Sequence, residues 1–249
     1  MLRFLLLGLM SAGILAAQHS LDLEGRYWIP RLSGDLRVDA GGLGTDIDPR
    51  KDLGIPNTNF PQGSVTWARG RSRLRFTYTP IDYGGDQTVS RTIVYRGTPY
   101  TVGTRVNSDL TVQHLQLSWA YQFVRVKDGV FRLGPMVEAD GLLMSGRLTA
   151  PNLAQPLERT EKVSAGLPAA GLAMDIEPRH AIDIFGEAGG MKAGSYGYFV
   201  GSDAGMRLRL PAHLLLTAGY RTFSLGVSHA PDFVHLRLGG PFVGAGFSW

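Results

Sequence analysis

The chain has 249 residues, no cysteine, and a formal charge of +4 from 25 Lys and Arg against 21 Asp and Glu. Disulfides, thiol chemistry and a lipid anchor on a modified cysteine are thereby excluded, and so small a basic excess excludes the electrostatic footprint of a nucleic-acid binder. The mean hydropathy is −0.01, and beyond the N-terminus apolar residues are spread in alternation rather than gathered into helix-length runs.

Arg3 precedes an apolar run from Phe4 to Leu15, and Ala16-Ala17 form a small-residue site before Gln18. A helix needs about 20 apolar residues to span a bilayer, so this run reads as an export signal over 1–17, removed at Ala17. Loss of Arg3 takes the charge from +4 to +3. Residues 18–249 show no linker, repeat or composition shift and form one domain.

Strand patterns are predicted near 19–38, 61–70, 72–82, 105–126, 130–147, 162–177, 180–193, 196–210, 213–228 and 232–249. In Leu110 to Phe123, Leu115, Leu117, Trp119, Tyr121 and Phe123 form one face, opposite His114, Gln116, Ser118, Ala120 and Gln122. Leu74, Phe76 and Tyr78 oppose Arg73, Arg75, Thr77 and Thr79. Leu214, Leu216, Ala218 and Tyr220 oppose Thr217, Gly219 and Arg221. In the last segment Val234, Leu236 and Leu238 are placed outward, with His235 and Arg237 inward.

Short connections (69–72, 127–129, 177–180, 210–213) alternate with longer ones (39–61, 82–106, 148–162), and two brief turns near 193–195 and 229–232 keep the phase. The expected fold is an all-β, antiparallel, up-and-down transmembrane barrel of ten strands. Eight result if the glycine-rich hairpin near 190–200 is lost, twelve if 87–95 and 98–106 form a full hairpin.

The chain closes on Phe242-Val-Gly-Ala-Gly-Phe-Ser-Trp249, an alternating strand ending in an aromatic residue. With the signal, the alternation and the short-turn, long-loop asymmetry, it resembles the small outer-membrane barrel superfamily, the OmpA-, OmpX- and OmpW-like group, over the whole mature length. The resemblance implies a bacterial outer-membrane location, with lipids and lipopolysaccharide as surroundings. It also implies that the barrel-assembly machinery reads Phe247 and Trp249. It does not imply peptidoglycan anchoring, because no periplasmic domain follows the barrel.

A ten-strand barrel has a narrow lumen filled by side chains. The alternation puts Arg73, Arg75, Arg132, Glu138, Asp140, Asp183, Glu187, Asp203, Arg207, Arg209, Arg221, His235 and Arg237 on its wall. Both signs occur there, as in an ion-pair network that plugs the barrel; a narrow path for small solutes is the alternative.

Specific chemistry is sparse. Asp46, Asp48 and Asp52 have oxygen ligands at alternate spacing but lack the glycine and distal glutamate of an EF-hand loop, so they read as a solvated turn and no metal or cofactor is expected. Asp82, Asp86, His229 and Asp232 flank the upper rim, but not at the one-residue gaps of omptin proteases. Ser228 and His229 are adjacent, so they point to opposite faces, unlike the pair of lipid A deacylases. His114, Ser118 and Glu138 share the inner wall. No nucleophile-elbow, zinc or phosphate-loop motif occurs. Outer-loop cations (Arg50, Lys51, Arg91, Arg96, Arg159, Lys162) suit lipopolysaccharide phosphates or solvent.

The expected function is therefore a structural or surface role, or slow passage of small solutes, without catalytic residues. The alternatives are a surface hydrolase resembling an omptin or a deacylase, and a soluble calycin-like barrel that binds a ligand within an apolar interior.

Overall fold

A computed structural model describes residues 19–37, 44–95, 98–151, 157–179, 181–195, 197–229 and 232–249. The export signal expected over 1–17 lies outside the described residues. The chain forms a closed antiparallel barrel of ten staves. In chain order the strands are β1 (His19–Trp28), β2 (Arg31–Arg37), β3 (Phe60–Arg69), β4 (Ser72–Thr88), β5 (Ile93–Tyr95), β6 (Thr98–Tyr100) and β7 (Arg105–Tyr121). They continue with β8 (Val124–Val126), β9 (Phe131–Ala150), β10 (Leu157–Arg179), β11 (Ile182–Ala193), β12 (Gly197–Arg209), β13 (Leu214–His229) and β14 (Asp232–Ser248).

β1 and β2 are two halves of one stave. β1 pairs with the C-terminal half of β14, from Asp22 opposite Ser248 to Trp28 opposite Phe242, and β2 with its N-terminal half. The break falls at Ile29-Pro30, where proline has no N–H to give the ladder. Gly240 sits opposite the break, and a Cβ there would run into the Ile29 carbonyl. The β1–β14 seam closes the sheet, and Leu21 and Trp249 exchange both backbone hydrogen bonds at its foot.

The expected ten strands are present, with two refinements. β4, β9 and β10 run several residues further into the long-loop end than the alternation alone suggests. The segment 87–106 does not add two staves: β5 and β6 pair only with each other, as a small hairpin within a loop. The β10–β11 ladder ends at Ala170 opposite Gly190, while β9 and β10 remain paired out to Ala150 and Leu157.

The outer wall is apolar. Leu117, Val137, Leu143, Leu172, Val200 and Val243 project from it, and Trp67, Trp119, Tyr121, Phe247 and Trp249 lie toward the short-turn end. This is the apolar band with an aromatic girdle that lipid contact requires.

Inside, the lumen is layered. Toward the short-turn end the inward residues are charged: Glu24, Arg26, Arg73, Arg75, Asp175, Asp183 and Arg207 are all buried. Toward the long-loop end they are apolar, with Leu32, Ile81, Tyr83, Leu142, Phe199, Phe223, Leu225 and Leu238 in one buried cluster. Ile47, Leu53 and Ile55 of the first long loop, together with Ile93 and Tyr100 of the small hairpin, cap that cluster.

This layering corrects one expectation. β14 pairs with β13 without a register shift from Phe247 opposite Leu214 to Asp232 opposite His229. Leu236 and Leu238 therefore turn into the apolar core, and His235 and Arg237 are exposed on the outside. Alternation identifies two faces but does not say which is inner. At this height the interior is the apolar side.

The β12–β13 turn carries backbone strain. Ala212 and His213 have φ of 62° and 63°, a left-handed conformation unfavourable for residues with a Cβ. His213 is compensated: its Nδ1–H donates to the Ser248 carbonyl at 2.8 Å, and its ring stacks on Trp249. Ala212 has no such contact, so Ala212→Gly is expected to stabilise the barrel by about 1 kcal/mol. The midpoint of the heat-modifiable band on SDS gels should rise; an unchanged or lower midpoint would show that the turn is unstrained.

Candidate functional site: the lumen

The lower lumen is crossed by ion pairs that join opposite walls. Arg26 of β1 binds Glu24 through two bonds of 2.8 and 3.1 Å and reaches Asp203 of β12 at 2.6 Å. Its guanidinium lies over the Phe242 ring at 4.4 Å. Arg73 of β4 donates to Asp175 of β10 at 2.6 Å and to Glu187 of β11 at 2.5 Å. Arg75 reaches the other oxygen of Glu187 at 3.0 Å and Thr66 at 3.1 Å. Glu187 thus clasps two arginines from across the barrel. Arg207 donates to Asp183 at 3.0 Å and stacks on Phe185 at 3.9 Å. Nearer the short-turn mouth Arg132 and Arg209 share Glu177 at 3.2 and 3.5 Å.

Of the thirteen residues expected in the lumen, eleven face it: eight join this lattice, Glu138, Asp140 and Arg221 lie above it, and His235 and Arg237 face outward. Glu24, Arg26, Asp175 and Glu177 are partners that the sequence reading missed. The signal was present for β1, where Asp22, Glu24 and Arg26 alternate with Leu23, Gly25 and Tyr27.

Above the lattice, Arg221 donates to Gln116 at 3.0 Å. His114 Nε2 lies 2.6 Å from an Asp140 oxygen, and Glu138 is buried two residues away on the same face of β9. Arg221, Gln116, His114 and Glu138 border a cavity of about 20 Å³. His114 and Phe223, with ring centroids 5.1 Å apart, also line an apolar cavity of about 30 Å³ above. The two side chains therefore partition the charged layer from the apolar one. His114 meets a carboxylate, but it is sealed inside the wall and stands beside no open cleft.

The rim residues are differently engaged. Asp86 is held by Arg105, with Nε at 2.8 Å. Asp82 is exposed on β4, and the side chain of His229 lies outside the described residues. In the first loop Asp48 caps the backbone N–H groups of Arg50 and Lys51 at 2.9 and 3.1 Å, and Asp46 pairs with Arg37. Asp52 accepts two bonds from Arg91, at 2.9 and 2.5 Å, and one from the Asp48 N–H at 2.8 Å. Arg91 also reaches the Asp46 carbonyl, so it latches the first loop to the second. Burial opposes charge on Asp52, but the hydrogen bonds from Arg91 and the Asp48 backbone outweigh it and hold the carboxyl below its usual range.

No family model and no curated protein matches the chain. Solved structures do. The outer-membrane protease OmpT of Escherichia coli superposes with a TM-score of 0.57 at 9% identity, over 94% of this chain and 98% of that one. Ail, the attachment invasion locus protein of Yersinia pestis, gives 0.41 at 9% identity, over 94% and 100%. The fold is that of an outer-membrane β-barrel protein. With its apolar belt and aromatic girdle, this barrel is built for a bacterial outer membrane. Identities this low carry the fold and nothing of OmpT's chemistry.

Two outcomes follow for the outer-membrane barrel. Glu187→Gln leaves Arg73 and Arg75 short of buried countercharge and should cost about 3–5 kcal/mol, read by urea unfolding through tryptophan fluorescence; a loss below about 1 kcal/mol would mean the clasp is solvated. Because Asp52 is held below its usual range, its contribution to the latch persists above the ordinary carboxylate pKa of about 4. It disappears as pH falls through the lower, folded value. Hydrogen exchange of the amides of 47–55 should therefore be insensitive to pH-driven opening between about 5 and 8 and accelerate relative to intrinsic rates only in acid, whereas Arg91→Gln should show the opened behaviour at neutral pH.

Proposed function

We propose that the protein, once its leader 1–17 is removed, is a closed, non-enzymatic barrel of the outer membrane with a structural and surface role rather than a pore. The observation that carries this reading is the wall-to-wall lattice centred on Glu187, Asp203 and Arg26, with an apolar layer stacked on it. A hydrated solute would have to displace paired charges and then cross a dry segment. The cavities of about 20 and 30 Å³ have room for little more than water.

The two longest described loops support the surface role. The Arg91–Asp52 latch and the buried Ile47, Leu53 and Ile55 fold them onto the barrel as a formed cap. Arg50 and Lys51 stand exposed on that cap, where lipopolysaccharide phosphates are suitable partners. Planar-bilayer recording of the purified, folded barrel tests the closed lumen. The expected result is a flat baseline at both polarities. Regular unitary steps from the wild-type chain would overturn it in favour of a narrow channel.

A further inference from the structure

The outer wall carries a hollow that the barrel itself does not explain. It spans β14, β1, β3 and β4, has a volume of about 450 Å³, and is apolar in character. Its floor is a row of minimal side chains: Ala245, Gly25 and Gly63 stand directly opposite one another across three strands. Its rim is large and apolar, with Leu23 and Phe247 on one side and Phe76 and Tyr78 on another.

The glycines are not required by close packing. A Cβ at Gly63 would meet nothing within 4 Å, and one at Gly25 only the Ala245 carbonyl at 3.9 Å. Gly240, in contrast, sits against backbone. Glycine in a strand interior weakens it, and nothing inside this chain is gained in return. The wall at Gly25 and Gly63 is thus recessed toward whatever lies outside it.

What lies outside is lipid, and the surroundings of the hollow say which part. Gly63 is six residues from Arg69 along β3. At about 3.3 Å per residue and a strand tilt of about 40°, that is about 15 Å along the membrane normal, half of a hydrocarbon core of about 30 Å. The hollow therefore begins near the midplane and opens toward the short-turn end. At that end Trp67 stacks with His19, and Arg69 and Arg71 stand exposed in the β3–β4 turn. Neither arginine pairs with a carboxylate among the described residues. Arg125 joins them, donating to the Gly70 carbonyl at 2.7 Å. An apolar hollow near the midplane, with exposed Trp67 below it and, at the foot of the same face, guanidinium groups that meet no carboxylate among the described residues, suits one acyl chain and the phosphate of an anionic phospholipid.

We propose that this face binds a phospholipid of the periplasmic leaflet, its acyl chain in the trough over Gly25 and Gly63 and its phosphate on Arg69 and Arg71. A guanidinium matches phosphate oxygens in a bidentate manner. The trough gives the chain a fixed course where a smooth wall would give none. The site does not depend on whether the lumen conducts.

The test is native mass spectrometry of the full barrel in detergent, titrated with phosphatidylglycerol or with phosphatidylcholine. The wild type should hold one phosphatidylglycerol and prefer it to phosphatidylcholine. Gly25→Leu with Gly63→Leu fills the trough without backbone collision and should lower retention of both lipids roughly tenfold, the effect of withdrawing about two buried methylenes. Heat-modifiability establishes that this variant is folded. Arg69→Gln with Arg71→Gln leaves the trough intact and should abolish the preference for the anionic head. Equal lipid retention by the wild type and the folded leucine variant would overturn the proposal, as would an unchanged head-group preference in the glutamine variant. A wild-type dimer that carries no lipid and dissociates in the leucine variant would assign the trough to a second copy of the chain instead.

Discussion

A sheet in lipid has no water to satisfy an open edge, and this requirement organises the whole chain. Each unpaired N–H or C=O would cost several kcal/mol in hydrocarbon, so the first stave must find the last. The sequence arranges this with a stave broken at Pro30, a glycine opposite the break, and a terminal strand whose Trp249 and Leu21 lock the seam. Closure then fixes the alternation: every second residue faces lipid, and its neighbours face a lumen too narrow to be left empty.

How that lumen is filled follows from the same geometry. A charge inside a barrel is tolerable only when paired, and one strand supplies only part of that, as Glu24 does for Arg26 two residues on. Other partners come from across the lumen, as Arg73 and Arg75 of β4 meet Glu187 of β11, and Arg26 of β1 meets Asp203 of β12. The pairs tie together staves distant in sequence. They fix register in the way a buried polar contact does, and the single carboxylate of Glu187 is where two of these ties meet. Above it the chain changes strategy and fills the barrel with Leu, Ile and Phe, as a soluble protein fills its core. His114 and Phe223 stand at the boundary between the two.

Much of this was legible in the sequence, because lipid imposes a period that needs no tertiary knowledge. The ten staves follow from alternation and turn chemistry, and the outward course of Leu115 to Phe123 is unambiguous because its other face is polar. The β14 segment shows where such reasoning stops. Val234, Leu236 and Leu238 alternate with His235 and Arg237 as in a lipid-facing strand, yet the apolar set faces inward. The deciding fact is the apolar layer built by Ile81 and Leu142 on distant staves and Phe223 on the neighbouring one, together with residues of the first loop. The pairing of Arg91 with Asp52 was equally out of reach. Asp46, Asp48 and Asp52 look like a cation loop in one dimension, and their partner arrives from a connection some 40 residues away. Glu24 and Arg26 were within reach, since β1 alternates as cleanly as β7.

The layered, closed interior is tested most directly by thiol accessibility, which a chain without cysteine makes clean. Single cysteines at 235, 236, 237 and 238 would be challenged with a membrane-impermeant maleimide on the folded barrel. Rapid labelling at 235 and 237, with protection at 236 and 238, is the predicted result, because the latter pair lies in a dry core. Labelling at 236 and 238 as fast as at 235 and 237 would contradict it and mean that water fills the upper lumen.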